Sequence, residues 1–372
     1  MFLFIFLFTT ASLTPSTSFA LTKVIHKHTV FIVEPYSSFN KDSKLKKLSK
    51  RKDLVVDHPT GLGFEVYGDD TLFSILDSLE IKYKIKNSTQ QTEPIFSEVP
   101  PKVLNYPSFK EMEDELINIA DDYPDNVRLK SIGRSVEQRD IWSLQITNAN
   151  KNLKTDVLFI ANIHGNEITG RDLMLLFAKD IISNSKNKSG SVYKLLNTFR
   201  IHIIPSLNPD GAEKRQRTNA NRVDLNRDFP DWTRAESDSI EGREPEVQAI
   251  MNYYAQFDFK FSANFHSGAE VVNYPWDNSI EKGPLEDFLA DLSFEYIANG
   301  AEYMKSNSFP TGVTRGYEWY PVFGGLQDWS THFKNSPHLT IELSNTKWPA
   351  YEEIDYFYQN NKDSLFQIFN AL

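Results

Sequence analysis

The sequence predicts an α/β protein, a three-layer α/β/α unit with a mixed central sheet, preceded by a small α+β unit. Three observations predict it. From Tyr106 to the C-terminus, strand-like runs alternate with helical ones. One of those runs, VLFIANI at 157–163, is nearly all apolar, as in a strand covered on both faces. Residues 21–86 show a shorter alternation of their own, strand, helix, strand, helix, strand, before a polar stretch sets them apart.

Taken in order, the chain opens with an unbroken apolar run from Met1 to Phe8. Small and hydroxylated residues follow, ending in Ser18-Phe19-Ala20. This predicts a secretory signal peptide over 1–20, although no Lys or Arg precedes the apolar run. The run is shorter than the ~20 residues a spanning helix needs, and no cysteine follows for lipid attachment. The expectation is an exported protein, secreted or periplasmic, without stable membrane association.

Within the small unit at 21–86, strands are expected at 28–33, 63–67 and 81–85. The basic run at 41–52 reads as a solvated helix face. Leu72, Ile75, Leu76 and Leu79 recur at helical spacing. Residues 87–103 are polar, contain Pro100-Pro101, and read as a linker. The large unit, 104–372, begins with an amphipathic helix at 110–123. Strands follow at 157–163, 200–205, 260–265 and 338–343, with helices at 168–182 and 246–256. After Glu342 the sequence holds about one more helix, at 351–372.

Composition narrows the function. The 372 residues suit two or three domains at ~150 residues each. With 40 Lys+Arg against 50 Asp+Glu, the net charge is −10, which argues against nucleic acid as a partner. There is no cysteine. That excludes a disulfide scaffold, a thiol nucleophile and thiolate-bound metal. Any metal must be held by the carboxylates and by some of only 8 histidines.

In an α/β sheet, ligands gather at the carboxyl ends of the strands. The strand at 157–163 runs into His164-Gly165-Asn166-Glu167, the strand at 260–265 into His266, and Glu342 lies near the end of the strand at 338–343. A close His and Glu with a distant second His form the ligand set of an open catalytic zinc site. His164, Glu167 and His266 are therefore the candidate ligands of one zinc ion.

Around these residues the chain resembles the zinc metallocarboxypeptidases, in the subfamily of carboxypeptidases E, N, D and M. The resemblance runs from about Tyr106 to the C-terminus. It rests on Ser131-Ile132-Gly133-Arg134-Ser135, the HGNE segment, Ile204 to Gly211 (IPSLNPDG), Arg217 with Asn219-Ala220-Asn221, Val223 to Arg227 (VDLNR), Asn273-Tyr274-Pro275, Trp319-Tyr320, Gly324 to Trp329 (GGLQDW) and Thr340 to Leu343 (TIEL). The resemblance implies a peptide or protein substrate with a free C-terminus. It implies zinc at His164, Glu167 and His266, and Glu342 as the general base acting on the metal-activated water. It implies Arg217 as the donor to the tetrahedral oxyanion. Asn226 and Arg227 would clamp the terminal carboxylate, Tyr320 would close over the substrate amide, and Asp224 would orient His164. Asp277 and Gln327 fall at pocket positions that pair with a C-terminal Lys or Arg side chain.

The sequence also departs from the pattern. With about one helix after Glu342, the transthyretin-like β-sandwich usual after the catalytic domain is not expected within these residues. Ser267-Gly268 stands where Gly-Gly is usual, and Arg315 where Asn is usual. The small unit loosely resembles the pro-domain of other metallocarboxypeptidases, which covers the active site until removed. A permanent accessory domain is the alternative. Rival functions are a cell-wall carboxypeptidase acting on muropeptides, a zinc amidohydrolase of N-acyl amino acids, and a non-enzymatic binding module descended from a peptidase.

Overall fold

The computed structural model describes residues 26–33, 44–49, 51, 53–60, 63–86, 106–148 and 154–372. The expected leader at 1–20 and the linker at 87–103 lie wholly outside them.

The small unit consists of β1 (His28–Ile32), α1 (Lys44–Ser49), β2 (Leu54–Thr60), β3 (Gly63–Gly68), α2 (Leu72–Ser78) and β4 (Lys84–Ile85). Its strands pair antiparallel in the order β2-β3-β1-β4. Strand β2 adds to the expected order. Its sequence, LVVDHPT, contains a proline, which argues against a central strand but is tolerated at an edge. Here β2 is an edge strand, and its register with β3 shifts between Asp57 and Thr60.

Strand alternation then divides these residues between two faces. Leu54 and Val56 of β2, with Phe64 and Val66 of β3, pack into the small core under Leu72 and Leu76 of α2. Their neighbours Val55, Asp57, Glu65 and Tyr67 point the other way. Val55, Asp57 and Tyr67 are nevertheless buried, because that face lies against the large unit.

The large unit begins with α3 (Phe109–Asp122). Ser108 caps this helix: Glu111 N donates to its Oγ at 3.3 Å, and Ser108 N donates to Glu111 Oε2 at 2.8 Å. The chain continues through β5 (Val127–Arg134), β6 (Asp140–Ile146), β7 (Thr155–Ala161), α4 (Thr169–Ser185), α5 (Ser191–Thr198), β8 (Phe199–Ile204), α6 (Pro209–Glu213) and α7 (Pro245–Tyr254). It then forms β9 (Phe259–His266), β10 (Ala269–Tyr274), α8 (Glu286–Ala298), β11 (Val313–Arg315), α9 (Gly316–Trp319), α10 (Leu326–Phe333), β12 (His338–Ser344), α11 (Ile354–Gln359) and α12 (Lys362–Ala371). The eight strands lie in the order β11-β10-β12-β9-β7-β8-β6-β5. The four central strands run parallel; β6 pairs antiparallel with β8 and β5, and β10 pairs antiparallel with β12 but parallel with the edge strand β11. The sheet is mixed, as expected.

Strand β7 shows why three layers form. Val157, Phe159 and Ala161 pack beneath Leu173, Met174 and Phe177 of α4. Leu158 and Ile160 face the opposite cluster, with Val247, Ile250 and Met251 of α7. Both faces are apolar because both are covered. The expected single C-terminal helix is instead two, α11 and α12. The side chain of Asn361 sits at the break, donating to Phe357 O at 2.7 Å and accepting from Tyr296 OH at 2.8 Å.

Among the described residues, none of the four hydrophobic clusters of the large unit has a buried member before Met112, and Tyr106 and Phe109 are the first residues packed against them. Among the described residues, no strand of its sheet precedes Val127. A fragment of residues 106–372 therefore keeps the whole core that it needs to fold alone.

Candidate active site

The parallel order of β7, β9 and β12 brings their carboxyl ends to one edge of the sheet. Ala161 of β7 is in register with Phe265 of β9, and His266 with Glu342 of β12. The chain leaves β7 in a turn held by Asn162, whose φ is 55°. Its side-chain amide donates to the carbonyls of His164, Gly165 and Glu167 at 2.8, 3.3 and 3.2 Å. Gly165 in this turn is required by close approach, since a Cβ there would lie 2.0 Å from the backbone of Gly211.

The turn aims His164 and Glu167 at His266. His164 Nδ1 lies 3.0 Å from Glu167 Oε2, His266 Nδ1 lies 2.8 Å from the same oxygen, and the two Nδ1 atoms are 3.1 Å apart. All three residues are at most 2% exposed. The far side of each ring is also engaged. His164 Nε2 faces Asp224 Oδ1 at 3.2 Å, and His266 Nε2 lies 2.9 Å from the side-chain amide of Asn264. Two imidazole nitrogens and a carboxylate converging in a buried space form a donor set suited to a divalent cation, with outer partners that fix the rings. The residues present therefore fit a zinc ion.

Arg217 is buried beside this group. Its Nε donates to Asp224 Oδ2 at 2.8 Å, and Nη1 lies 3.2 Å from His164 Nδ1 and 3.4 Å from Glu167 Oε1. Nη2 is buried with no hydrogen-bond partner among the described residues. Burial disfavours the charged guanidinium, but Asp224, Asp57 and Glu167 outweigh it and hold its pKa well above the usual value. Asp224 thus joins Arg217 to His164, and its own carboxyl is held well below the usual range by Arg217 and His164 despite burial.

Asn226, Arg227, Tyr320, Asp277 and Glu342 line one cleft with His164 and His266. Asp224 accepts from Asn226 N at 2.9 Å, which starts a single 3₁₀ turn carrying Asn226 and Arg227. Asp277 is buried in the wall of the cleft. Its Oδ1 accepts from Gln327 Nε2 at 2.9 Å and Asn273 Nδ2 at 3.1 Å. Burial pushes its carboxyl up to about 7, against the pull of Asn273, Arg227 and Gln327. The side-chain amide oxygens of Asn273 and Gln327 are buried with no hydrogen-bond partner among the described residues.

Four residues at this edge were not singled out as site residues from the sequence. Asn273 lies within a quoted motif, and its contact with Asp277 needed the fold to appear. Asp328 holds the loop that carries Asp277, accepting from Asp277 N at 3.0 Å and Asn278 N at 2.9 Å. Its place in the Gly324–Trp329 motif was the available signal. Gly316 abuts Asp277 so closely that a Cβ there would come 1.5 Å from Asp277 Oδ1. Asp57 comes from the small unit: Arg217 Nη1 donates to its Oδ1 at 2.7 Å. On the next residue back, Arg227 Nη2 donates to Val56 O at 3.3 Å. Nothing in the sequence links positions so far apart.

Comparison with known proteins places this geometry. The sequence profile described as zinc carboxypeptidase matches residues 112–364. The chain is 37% identical over 253 residues to carboxypeptidase SOL1 of Arabidopsis thaliana, covering 66% of this chain and 51% of that protein. It is 33% identical over 310 residues to human carboxypeptidase D, covering 76% of this chain and 22% of that protein. It is 35% identical over 283 residues to mouse carboxypeptidase M, covering 69% and 63%. The chain thus spans about half of the first of these relatives and about a fifth of the second. Among solved structures, carboxypeptidase A from Helicoverpa armigera has the same fold with a TM-score of 0.68 at 18% identity. Thrombin-activatable fibrinolysis inhibitor gives 0.65 at 17%. Each match covers 94% of this chain and 98% of the other, a span that takes in both units.

Proposed function

The chain belongs to the zinc carboxypeptidase family, and from that premise we propose that it hydrolyses the last peptide bond of a chain with a free C-terminus, releasing Lys or Arg preferentially. The observation that carries this reading is the convergence of His164 Nδ1, Glu167 and His266 Nδ1 on one point, with Glu342 in register beside His266. When bound there, zinc supplies a Lewis acid and lowers the pKa of a water molecule.

The chain's own residues do the rest. Glu342 takes a proton from the attacking water and hands it to the departing amine. Arg217, with its Nη2 donor available, stabilises the negative charge that develops on the scissile carbonyl oxygen. Arg227 and Asn226 hold the terminal carboxylate, which makes a free C-terminus a requirement. Tyr320 covers the amide. Asp224 fixes His164 and Arg217 together, so the metal side and the oxyanion side of the cleft keep their spacing. The apolar leader at 1–20 supports export. No helix among the described residues is long and apolar enough to cross a membrane.

Basic specificity follows from Asp277. A Lys or Arg side chain supplies donors to its carboxylate and to the two buried side-chain amide oxygens of Asn273 and Gln327. An uncharged side chain leaves them unpaired. Asp277→Asn is expected to lower kcat/KM for an Arg-ending peptide by about 10²-fold, and that for a Leu-ending peptide much less. With burial pushing its pKa up to about 7, the carboxyl is neutral below that pH and cannot pair with a cation. KM for the Arg-ending peptide should therefore fall as pH rises through about 7. The Leu-ending peptide should lack that step. Steady-state assays of both peptides across pH check this. An equal loss on both would remove Asp277 from specificity.

The small unit at 21–86 serves, in this reading, as a cover for the active site. Its edge strand β2 occupies Arg217 through Asp57 and Arg227 through Val56 O, the two arginines the reaction needs. Release of arginine by residues 106–372, compared with the intact chain, tests the two proposals together. Activity in neither form, with zinc present, would sink the catalytic reading.

A further inference from the structure

The carboxylate of Asp57 is held by two cations. One is Arg217, already assigned to the reaction. The other is Lys347, whose Nζ bonds Asp57 Oδ2. Lys347 also lies 3.6 Å from Glu65 Oε2. Burial disfavours its charge, and Asp57, Tyr67 and Glu65 outweigh that and raise its pKa well above the usual lysine value.

Both carboxylates paired with Lys347 belong to the small unit. When that unit leaves the cleft, they leave with it. The large unit then presents a lysine and an arginine, side by side, to whatever enters. The location of the pair is informative. Lys347 O accepts from Ile168 N at 3.3 Å, directly after the metal-binding turn. That places it on the Glu167 side of the cleft. Arg227 and Asp277, which receive the departing residue in the proposed reaction, line the cleft together, and Lys347 is not among the residues that line it with them. Strand β2 spans both: Val56 O meets Arg227, and the next side chain meets Arg217 and Lys347. It shows where a peptide backbone and an acidic side chain come to rest in this cleft.

We propose that Arg217 and Lys347 form a carboxylate-binding subsite upstream of the scissile bond, which selects peptides with Asp or Glu in the two residues before the departing one. Asp57 is its intramolecular occupant. The inference rests on the reading that the cleft takes peptide C-termini, but its test does not depend on turnover.

The test uses zinc-loaded residues 106–372 carrying Glu342→Gln, so that binding is measured without hydrolysis. Two fluorescent peptides ending in Arg are compared by anisotropy, one with Glu just before the Arg and one with Gln there. A second pair carries Glu or Gln one residue further upstream. The Glu peptide of at least one pair should bind about tenfold or more tightly than its Gln counterpart, an advantage that salt reduces. Lys347→Met should bring the Glu peptide to the affinity of the Gln peptide. Equal affinities in both pairs, no binding of any peptide, or a preference that survives Lys347→Met would each overturn the subsite and leave Lys347 with the sole task of seating the small unit. An inactive but peptide-binding enzyme would refute the proposed reaction and still give this comparison an answer.

Discussion

Replacing Glu342 with glutamine is expected to lower kcat by about 10³-fold while the protein still takes up one zinc per chain. Glutamine keeps the shape of the side chain and removes its capacity to accept a proton. Glu342 is buried and lines the cleft with His164 and His266, yet the three-residue group that can hold a metal is His164, Glu167 and His266. Base and ligand are thus separable. Metal analysis of the variant beside its kcat makes the separation measurable. A variant that stays active would remove Glu342 from the proposed role. A variant that loses zinc would make it a ligand instead.

The second large effect belongs to Asp57. Asp57 and Arg217 are at most 3% exposed, and breaking a buried pair by removing one charge costs about 3–5 kcal/mol. Asp57→Asn should therefore weaken the hold of the small unit on the cleft by roughly 10²–10³-fold. The intact wild-type chain is expected to release arginine at under about a hundredth of the rate of residues 106–372, and intact Asp57→Asn to approach the rate of the fragment. Lys347 adds to the contact from the large-unit side. Arg217 keeps its partner Asp224 in the variant, so its own position is preserved. Steady-state rates of the three proteins on one peptide settle the matter. Equal rates for the intact wild type and the fragment would make the small unit an accessory that leaves the cleft open.

How much was legible in the sequence depended on whether its cause was local. The apolar run at 157–163 marked β7 because burial on both faces leaves no polar alternation. His164, Glu167, His266 and Glu342 were visible because strand ends in such sheets converge, and the structure brings them to one edge. The link from Asp224 to His164 came with the family motif and is present as a hydrogen bond, whereas the bond from Arg217 to the same carboxylate emerged only from the fold. Strand β2 was hidden by Pro59, which an edge strand accommodates. With β2 unseen, the outward face bearing Asp57 could not be assigned, and the partner of Arg217 in the small unit went unrecognised. Asp328 and Gly316 act through the position they give Asp277, and such support is set by packing between segments far apart in the chain.

Mass spectrometry of a peptide ending in arginine, incubated with zinc-loaded residues 106–372, tests the proposed reaction most directly. The expected product is the same peptide shorter by its one terminal arginine. Its formation should stop on addition of a chelator, and should fail when the peptide's C-terminus is amidated, because Arg227 and Asn226 then lack their carboxylate. An intact peptide under these conditions, cleavage at an internal bond, or equal processing of the amidated peptide would contradict it.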